Sequence, residues 1–413
     1  MSAFELRSVA EAELDDWWNT LGTAFGRRNT PEQLEREIRA VGMDRLFGVY
    51  DGKEVVGTCA AYPLELTMPG LARHPMAGVT SVTVLPSHRR RGILRSMMIH
   101  QLGELHERGE FLAGLTASEG GIYGRFGYAP ASFACTYELN KTKGGLARPI
   151  GDLATGTVRM VNAEQAEQAL PELWDEARKS RPGDIGILPV WWEDYFHDSS
   201  RADEAKTRFY AVYEEEGRID GCAVYQVVRD PEPPRNATIV LEDLVTTGIA
   251  SYAALWNFLI GIDLAVTLRA RGRPVDELLR LLLADGRQLR TQARYDDLWL
   301  RIVVVTPALE ARSYVNGKGL RIVIGVSDAT CSWNAGTYEL EIDDAGLAHV
   351  TRQADAEPDL TVDVSSLGAV LLGGVRMSSY VRAGAASENA PGAAKLADTI
   401  FSSDIEPYLA SGF

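Results

Sequence analysis

Arg89, Arg90 and Arg91 stand in a row directly before Gly92, between the alternating apolar run VTSVTVLP and the stretch RRRGILRSMMIHQLGELHERG. The first run reads as a strand ending at Pro86 and the second as a helix opening near Gly92. A junction of that kind directs unsatisfied backbone N–H groups out of the helix start, which makes an anion site before any side chain is counted. Three guanidinium groups placed there oppose the helix macrodipole. The cost is roughly a few tenths of a kcal/mol or more per charge, and a bound anion cancels it. Gly92, lacking a Cβ, lets the backbone approach a phosphate closely. The pattern reads as a pyrophosphate cradle, with surface charge at a helix start as the plainer alternative, and it is neither a Walker A loop nor a Rossmann turn, because neither glycine spacing is present.

Two further stretches carry candidate chemistry. GIYGRFGY offers two phenols, Tyr123 and Tyr128, either able to act as a proton donor near neutral pH because an unperturbed phenol titrates near about 10. The end of the chain, SSDIEPYLASGF, is apolar where termini are usually polar and frayed, so Phe413 is suited to docking its ring and carrying an α-carboxylate with it.

The elements that must position these residues form a mixed α/β pattern. EAELDDWWNTLGTAF and TPEQLEREIRAV have helical spacing, the second with Thr30 as N-cap and Pro31 in its first turn. RLFGVYDGKEVVGTCAAYPLEL reads as two strands around an Asp51-Gly52 turn. FLAGLTAS is another strand, and GIYGRFGYAPASFACTYEL a helical turn followed by the strand that should close the first domain. An internal repeat sets the domain count: DGKEVVGTCAAY (51–62) is echoed by EGRIDGCAVYQV (216–227). The second copy is preceded by helical LPVWWEDYFHDSS and followed by a strand and a helix, yet its junction VTTGIASYAA has no arginine. Past about residue 300, short strands in series precede the helical LGAVLLGG, VRMSSYVRAG and PGAAKLADTIFSS, an antiparallel α+β signature. RDPEPPR (229–235) reads as a rigid loop.

Composition narrows the partners. The chain has 413 residues and a formal net charge of −15. That balance argues against nucleic acid and is compatible with a cationic small substrate, although it also serves solubility alone. No apolar run approaches the length of a membrane span, and the N-terminus lacks the pattern of a secretory signal, so a cytoplasmic protein is expected. Cys59, Cys135, Cys222 and Cys331 are too dispersed for a zinc site or a disulfide framework, and the six histidines show no ligand spacing, so no metal is expected.

VTVLPSHRRRGIL resembles the coenzyme A motif of the GNAT superfamily of N-acetyltransferases, [QR]-x-x-G-x-[GA], with Arg89 and Gly92 at the first two fixed positions and Leu94 departing from the small third residue. Nearly the whole chain is similar to the Eis (enhanced intracellular survival) branch. The resemblance implies α/β (α+β) architecture: a catalytic GNAT domain at 1–148, a degenerate second GNAT domain at 149–297 and a sterol-carrier-protein-like domain at 298–413. It implies acetyl-CoA as the acetyl donor, with the backbone of Val82, Thr83 and Val84 on a splayed strand holding the pantetheine arm and acetyl carbonyl. The N–H of Val82 would face the developing oxyanion.

The same resemblance implies that Arg89, Arg90, Arg91, Gly92, Ile93, Leu94 and Arg95 hold the pyrophosphate and that Ser118 and Glu119 line the cofactor groove. Ser118 is as readily a plain N-cap of the turn that follows. Tyr123 matches the family's catalytic acid, with Tyr128 the rival more suited to core packing. The α-carboxylate of Phe413 corresponds to the proposed general base, acting through water or by steering a cationic amine; on the residues alone, hydrophobic docking of the tail is the simpler reading. Substrates implied are primary amines of aminoglycosides and polyamines, or protein lysines, and the expected assembly is a hexamer. Thr116 departs from the histidine some members carry on the substrate side. EAELDDWW is either an acidic rim of the cleft or a solvated helix face. A reading of a different class makes the C-terminal domain a lipid carrier or assembly module.

Overall fold

The computed structural model describes residues 4–197, 208–229 and 236–413; most of the RDPEPPR loop lies outside the described residues. The chain divides into two compact units. One comprises the chain up to Ser132, Leu298–Asp404 and Gly412–Phe413; the other comprises Phe133–Asp297 and Ile405–Ser411.

In chain order the strands are β1 (Glu5–Ser8), β2 (Leu46–Asp51), β3 (Glu54–Thr67), β4 (Arg73–Val84), β5 (Leu112–Thr116), β6 (Ala129–Pro130) and β7 (Phe133–Asn140). There follow β8 (Thr157–Val161), β9 (Phe209–Glu215), β10 (Arg218–Arg229), β11 (Ala237–Thr246), β12 (Ala265–Pro274) and β13 (Leu289–Asp296). The last are β14 (Leu298–Ile302), β15 (Arg321–Ser327), β16 (Gly336–Ile342), β17 (Ala348–Gln353), β18 (Leu360–Asp363) and β19 (Ala386–Glu388).

The first unit holds a seven-stranded sheet in the order β1-β2-β3-β4-β5-β14-β6, antiparallel except where β4 meets β5. The second unit repeats that plan as β8-β9-β10-β11-β12-β7-β13, again with one parallel pair, β11 with β12. Position by position the two orders correspond, as the internal repeat requires. The sixth place is where they differ from the sequence expectation. The strand Phe133–Asn140, expected to close the first domain, lies in the second sheet between β13 and β12. Its place in the first sheet is taken by Leu298–Ile302, which pairs Leu298 with Thr116 and Ile302 with Leu112. Over most of its length β7 alternates buried and less buried residues, while β14 is buried throughout; neither pattern names a sheet, and only long-range pairing assigns them.

Two helices over the first sheet form where spacing predicts. Thr30 caps Pro31–Val41 through a reciprocal pair: its hydroxyl accepts from Gln33 N at 3.3 Å and Gln33 Oε1 from Thr30 N at 3.0 Å. The helix Ile93–Glu107 buries Ile93, Met97, Met98, Leu102 and Leu105, the stripe that lays it on the sheet.

The same unit contains a five-stranded sheet, β17-β16-β15-β18-β19. It is not wholly antiparallel as expected: β15 and β18 run parallel, because the chain crosses the β15–β16–β17 meander before returning. The helices Val364–Val370, Met377–Arg382 and Ala393–Phe401 follow. Arg301 on β14 and Asp328 after β15 form a buried ion pair at 2.7 Å, and Asp328 also accepts from the backbone N–H groups of Thr330 and Cys331. Removing either partner would strand a buried charge, so this pair ties the five-stranded sheet to the first one. The four cysteines are free and buried.

Candidate active site

Strand β4 is bulged. Thr83 faces Thr58 on β3, but the next aligned pair is Thr80 with Ala60, so Ser81 and Val82 together oppose Cys59. Ser81 sits at a φ of 53°, the left-handed region that a side chain ordinarily avoids. Two buried hydroxyls hold it there. Thr58 donates to the Ser81 carbonyl at 2.7 Å and lies 2.6 Å from Thr83 Oγ1; with its one proton committed to Ser81, Thr58 accepts from Thr83. Val82 thus falls outside the paired register, where Thr83 and Val84 remain aligned with β3.

From Val84 a short 3-10 turn, Pro86–His88, leads to the arginines. Arg90 has a φ of 63° and Gly92 a φ of 85°, so the turn doubles back twice before Ile93 starts the helix. Open space lies where a Gly92 Cβ would project, and its conformation is the reason for glycine. Arg91 is braced: its guanidinium lies over the Phe4 ring at 4.5 Å and reaches Asp51 at 3.9 Å, beside His88 Nε2 at 3.5 Å from the same carboxylate. Arg89, Arg90 and Arg95 are exposed and make no ion pair among the described residues. Unneutralised guanidinium groups at a helix start favour a multiply charged anion. Ile93 is buried against the sheet and Leu94 half-buried, so both serve packing while the arginines face solvent.

Beyond the bulge the sheet opens. β4 and β5 pair only at Ala77 with Ala113 and Gly78 with Gly114, after which the two strands diverge. Phe413 occupies the resulting wedge. Its ring lies 3.0 Å from where a Gly78 Cβ would stand, and one main-chain oxygen accepts from Thr116 Oγ1 at 3.0 Å.

After β5, Ser118 and Glu119 are exposed and lead into the turn Gly120–Tyr123. The N-cap position belongs to Glu119, with no side-chain capping bond, so the reading of Ser118 as a plain N-cap does not hold. Tyr123 and Tyr128 pack edge to face at 6.0 Å in one apolar cluster with Leu102, Leu115 and Trp299. Burial, and then the charge of Glu119, push the Tyr123 phenol above its ordinary range. Tyr128 is the more enclosed, packed in the core, and its buried hydroxyl has no hydrogen-bond partner among the described residues.

One neighbour was missed by sequence reasoning. Glu37, on the helix Pro31–Val41, accepts from Tyr62 Oη at 2.9 Å and from the bulge residue Ser81 at 3.3 Å. Its half-buried carboxylate therefore stands at the bulge, and nothing in the sequence separates it from Glu32 and Glu35 on the same helix. The acidic stretch EAELDDWW, by contrast, splits between exposure and structure. Asp15 and Asp16 are exposed, and Glu13 is held by Arg7 at 2.7 Å and Tyr50 at 3.0 Å.

Comparison with known proteins gives the class. Residues 5–131 match a GNAT acetyltransferase domain, residues 188–302 a second acetyltransferase (GNAT) domain, and residues 305–410 a sterol carrier protein domain. The chain is an acyltransferase built from tandem GNAT domains and a sterol-carrier domain. An uncharacterised N-acetyltransferase of Streptomyces coelicolor is 39% identical over 419 residues, covering 99% of each chain. The N-acetyltransferase Eis of Mycobacterium tuberculosis is 33% identical over 362 residues, 87% of this chain and 86% of that one. The crystal structure of Eis1 from Mycobacterium abscessus aligns with a TM-score of 0.88 at 30% identity, covering 99% of this chain and 100% of that one. The chain belongs to the Eis family of acetyltransferases. No helix of the described residues is long and apolar enough to cross a membrane, and no cluster of metal-ligating side chains occurs among them.

Proposed function

We propose that the protein transfers the acetyl group of acetyl-CoA to primary amines of small polycationic molecules, of aminoglycoside or polyamine type. The observation that carries the reading is the run of features along β4. An arginine turn with unpaired charge follows its end, a bulge interrupts its pairing at Ser81 and Val82, and a wedge against β5 opens beside it. In this reading Arg89, Arg90, Arg91 and Arg95 hold the pyrophosphate around Gly92, Ile93 and Leu94. Val82, Thr83 and Val84 take the pantetheine arm, and Ser118 and Glu119 flank it.

The chemistry follows from the groups on either side. The Phe413 carboxylate, held through Thr116, takes a proton from the ammonium, directly or through one water. The neutral amine forms the new C–N bond to the acetyl carbonyl, whose oxygen the Val82 N–H stabilises. As the C–S bond breaks, Tyr123 gives its proton to the departing sulfur, and the surplus proton of the newly acylated nitrogen passes to the phenolate, directly or through water, restoring the phenol. Burial favours the neutral phenol and so keeps that proton available. Glu37 supplies the negative charge that attracts the ammonium to the bulge.

The three-part division expected at 1–148, 149–297 and 298–413 belongs to this reading with the strand Phe133–Asn140 in the second sheet and Leu298–Ile302 in the first, and so does assembly into a hexamer. The test is thiol release from acetyl-CoA with a panel of polyamines, aminoglycosides and lysine peptides, on the intact protein, on Tyr123→Phe and on a variant lacking Phe413. Turnover of the small polycations, lost in Tyr123→Phe, is expected. Turnover of peptides alone would move the acceptor to protein lysines. No turnover with retained lipid would make the protein a carrier.

A further inference from the structure

The second unit keeps the backbone plan of the first and reverses its charge. Its fourth strand, β11, is also bulged: Val224 faces Asp243 and Tyr225 faces Leu241, leaving Glu242 as the extra residue. After β11 only Thr247 and Gly248 precede the helix Ile249–Gly261, with no basic residue between. At this strand end opens a cavity of about 280 Å³, at the small end of ligand pockets, bounded by the bulge, the turn and residues that include Trp174 and Asp184.

Its wall carries the carboxylates of Asp184, Glu242, Asp243, Asp276 and Glu277 against two guanidinium groups, Arg181 and Arg273. Both cations are already engaged. Arg181 pairs with Asp276, and Arg273 with Glu277 at 2.9 Å. Glu242 is held by Arg208 at 2.7 Å. Asp184 and Asp243 have no ion pair among the described residues; Asp243 accepts one bond, from Tyr195 Oη at 2.6 Å.

One buried polar group in the same wall points to something absent from it. Asp184 is only 6% exposed, and its Oδ1 accepts from Ile185 N at 3.0 Å and Ala410 N at 3.1 Å, while its Oδ2 has no partner among the described residues. Groups this enclosed are ordinarily hydrogen-bonded, and a buried carboxylate is costly without a cation. Burial outweighs the two backbone N–H bonds and the nearby charges of Arg178 and Arg181, and pushes the Asp184 carboxyl up to about 6. The ligand that answers these demands is cationic, and the charge excludes a nucleotide. It is also organic, because the acids are not grouped to hold a metal ion among the described residues.

We propose that this cavity is a binding site for a small alkylammonium ligand, such as one arm of a diamine, seated between Asp184 and Asp243. The site stands apart from the transfer reaction proposed above. Calorimetric titration of the intact protein with hexane-1,6-diamine, without acetyl-CoA so that nothing turns over, tests it. A binding event is expected that weakens at least tenfold in Asp184→Asn and in Thr247→Lys, and persists in Glu37→Gln. Thr247 is exposed at the cavity mouth, so its lysine variant adds a competing ammonium without disturbing the core, and it decides the question alone should Asp184→Asn fail to fold. Absence of heat, unchanged binding in Thr247→Lys, or loss confined to Glu37→Gln overturns the proposal.

Discussion

Thr116 donates its hydroxyl to a main-chain oxygen of Phe413 at 3.0 Å, joining the end of β5 to a residue 297 positions away in sequence. The position where some family members carry histidine is thus occupied here by a residue that anchors the tail. Replacing Thr116 with valine removes that donor and keeps the shape. A hydrogen bond to a charged acceptor contributes about 1.5–3 kcal/mol, so kcat for amine acetylation should fall by roughly tenfold or more. The KM for acetyl-CoA should stay within about twofold. Deleting Phe413 should cost more than Thr116→Val, since ring and carboxylate leave together; equal rates in the deletion and the intact protein would remove Phe413 from the mechanism.

Tyr123→Phe is expected to lower kcat by about a hundredfold or more, the usual scale of a general acid, with little change in melting temperature. Tyr128→Phe should do the opposite: its hydroxyl is buried and has no partner among the described residues, so removing it should leave kcat unchanged and hold or raise stability. Because the Tyr123 phenol is pushed upward, it stays protonated through neutral pH, and the alkaline fall of kcat should lie above pH 10. An intact rate in Tyr123→Phe would transfer the acid role elsewhere.

The legible parts of this molecule were those written locally. The Thr30 cap, the Asp51-Gly52 hairpin, the arginine turn and the repeat at 51–62 and 216–227 each follow from a few adjacent residues, and each is present in the fold. What sequence could not show depends on partners far along the chain. Neither the alternation of β7 nor the apolar run of β14 names a sheet, and the pairing of Leu298 with Thr116 is invisible until both are placed. Glu37 looks like any solvated helix acid until Ser81 turns toward it, and Ser81 does so because a bulge gives it a positive φ.

Glu37→Gln separates attraction of the amine from chemistry. The glutamine keeps the contacts to Tyr62 and Ser81 and loses the charge, so the KM for a polyamine should rise about tenfold while kcat and the KM for acetyl-CoA change little. A neutral or monocationic amine should show a smaller effect than a polyamine. Were the two acceptors affected alike, Glu37 would be a structural support of the bulge only.

Arg89→Gln with Arg90→Gln should raise the KM for acetyl-CoA by about a hundredfold, the scale of two lost charge-assisted contacts, and should weaken its dependence on salt, since only Arg91 and Arg95 remain. Arg91→Gln alone should do less to cofactor binding, because part of its role is to brace the turn on Phe4 and Asp51. Unchanged calorimetric heats with acetyl-CoA in a folded double variant would displace the pyrophosphate from this turn.

The second unit should carry a pH signature through Asp184. Burial raises its carboxyl to about 6, against about 3.9 in an unfolded chain, so between these values the folded form binds more protons than the unfolded one. Stability from this group is therefore complete below about pH 4 and is lost as pH rises through 6, where the buried charge must form. The shift corresponds to at most about 3 kcal/mol. Asp184→Asn keeps an acceptor for the N–H groups of Ile185 and Ala410 and cannot ionise. Urea midpoints measured at pH 5 and pH 7.5 should show the variant gaining on the intact protein at the higher pH, because only the intact protein must bury a charge there. Adding hexane-1,6-diamine at pH 7.5 should narrow that gap, since a bound ammonium stabilises the carboxylate that the variant lacks. Parallel pH dependence in the two proteins would mean that Asp184 is solvated or neutralised from within, and would remove the energetic reason for a ligand in the cavity.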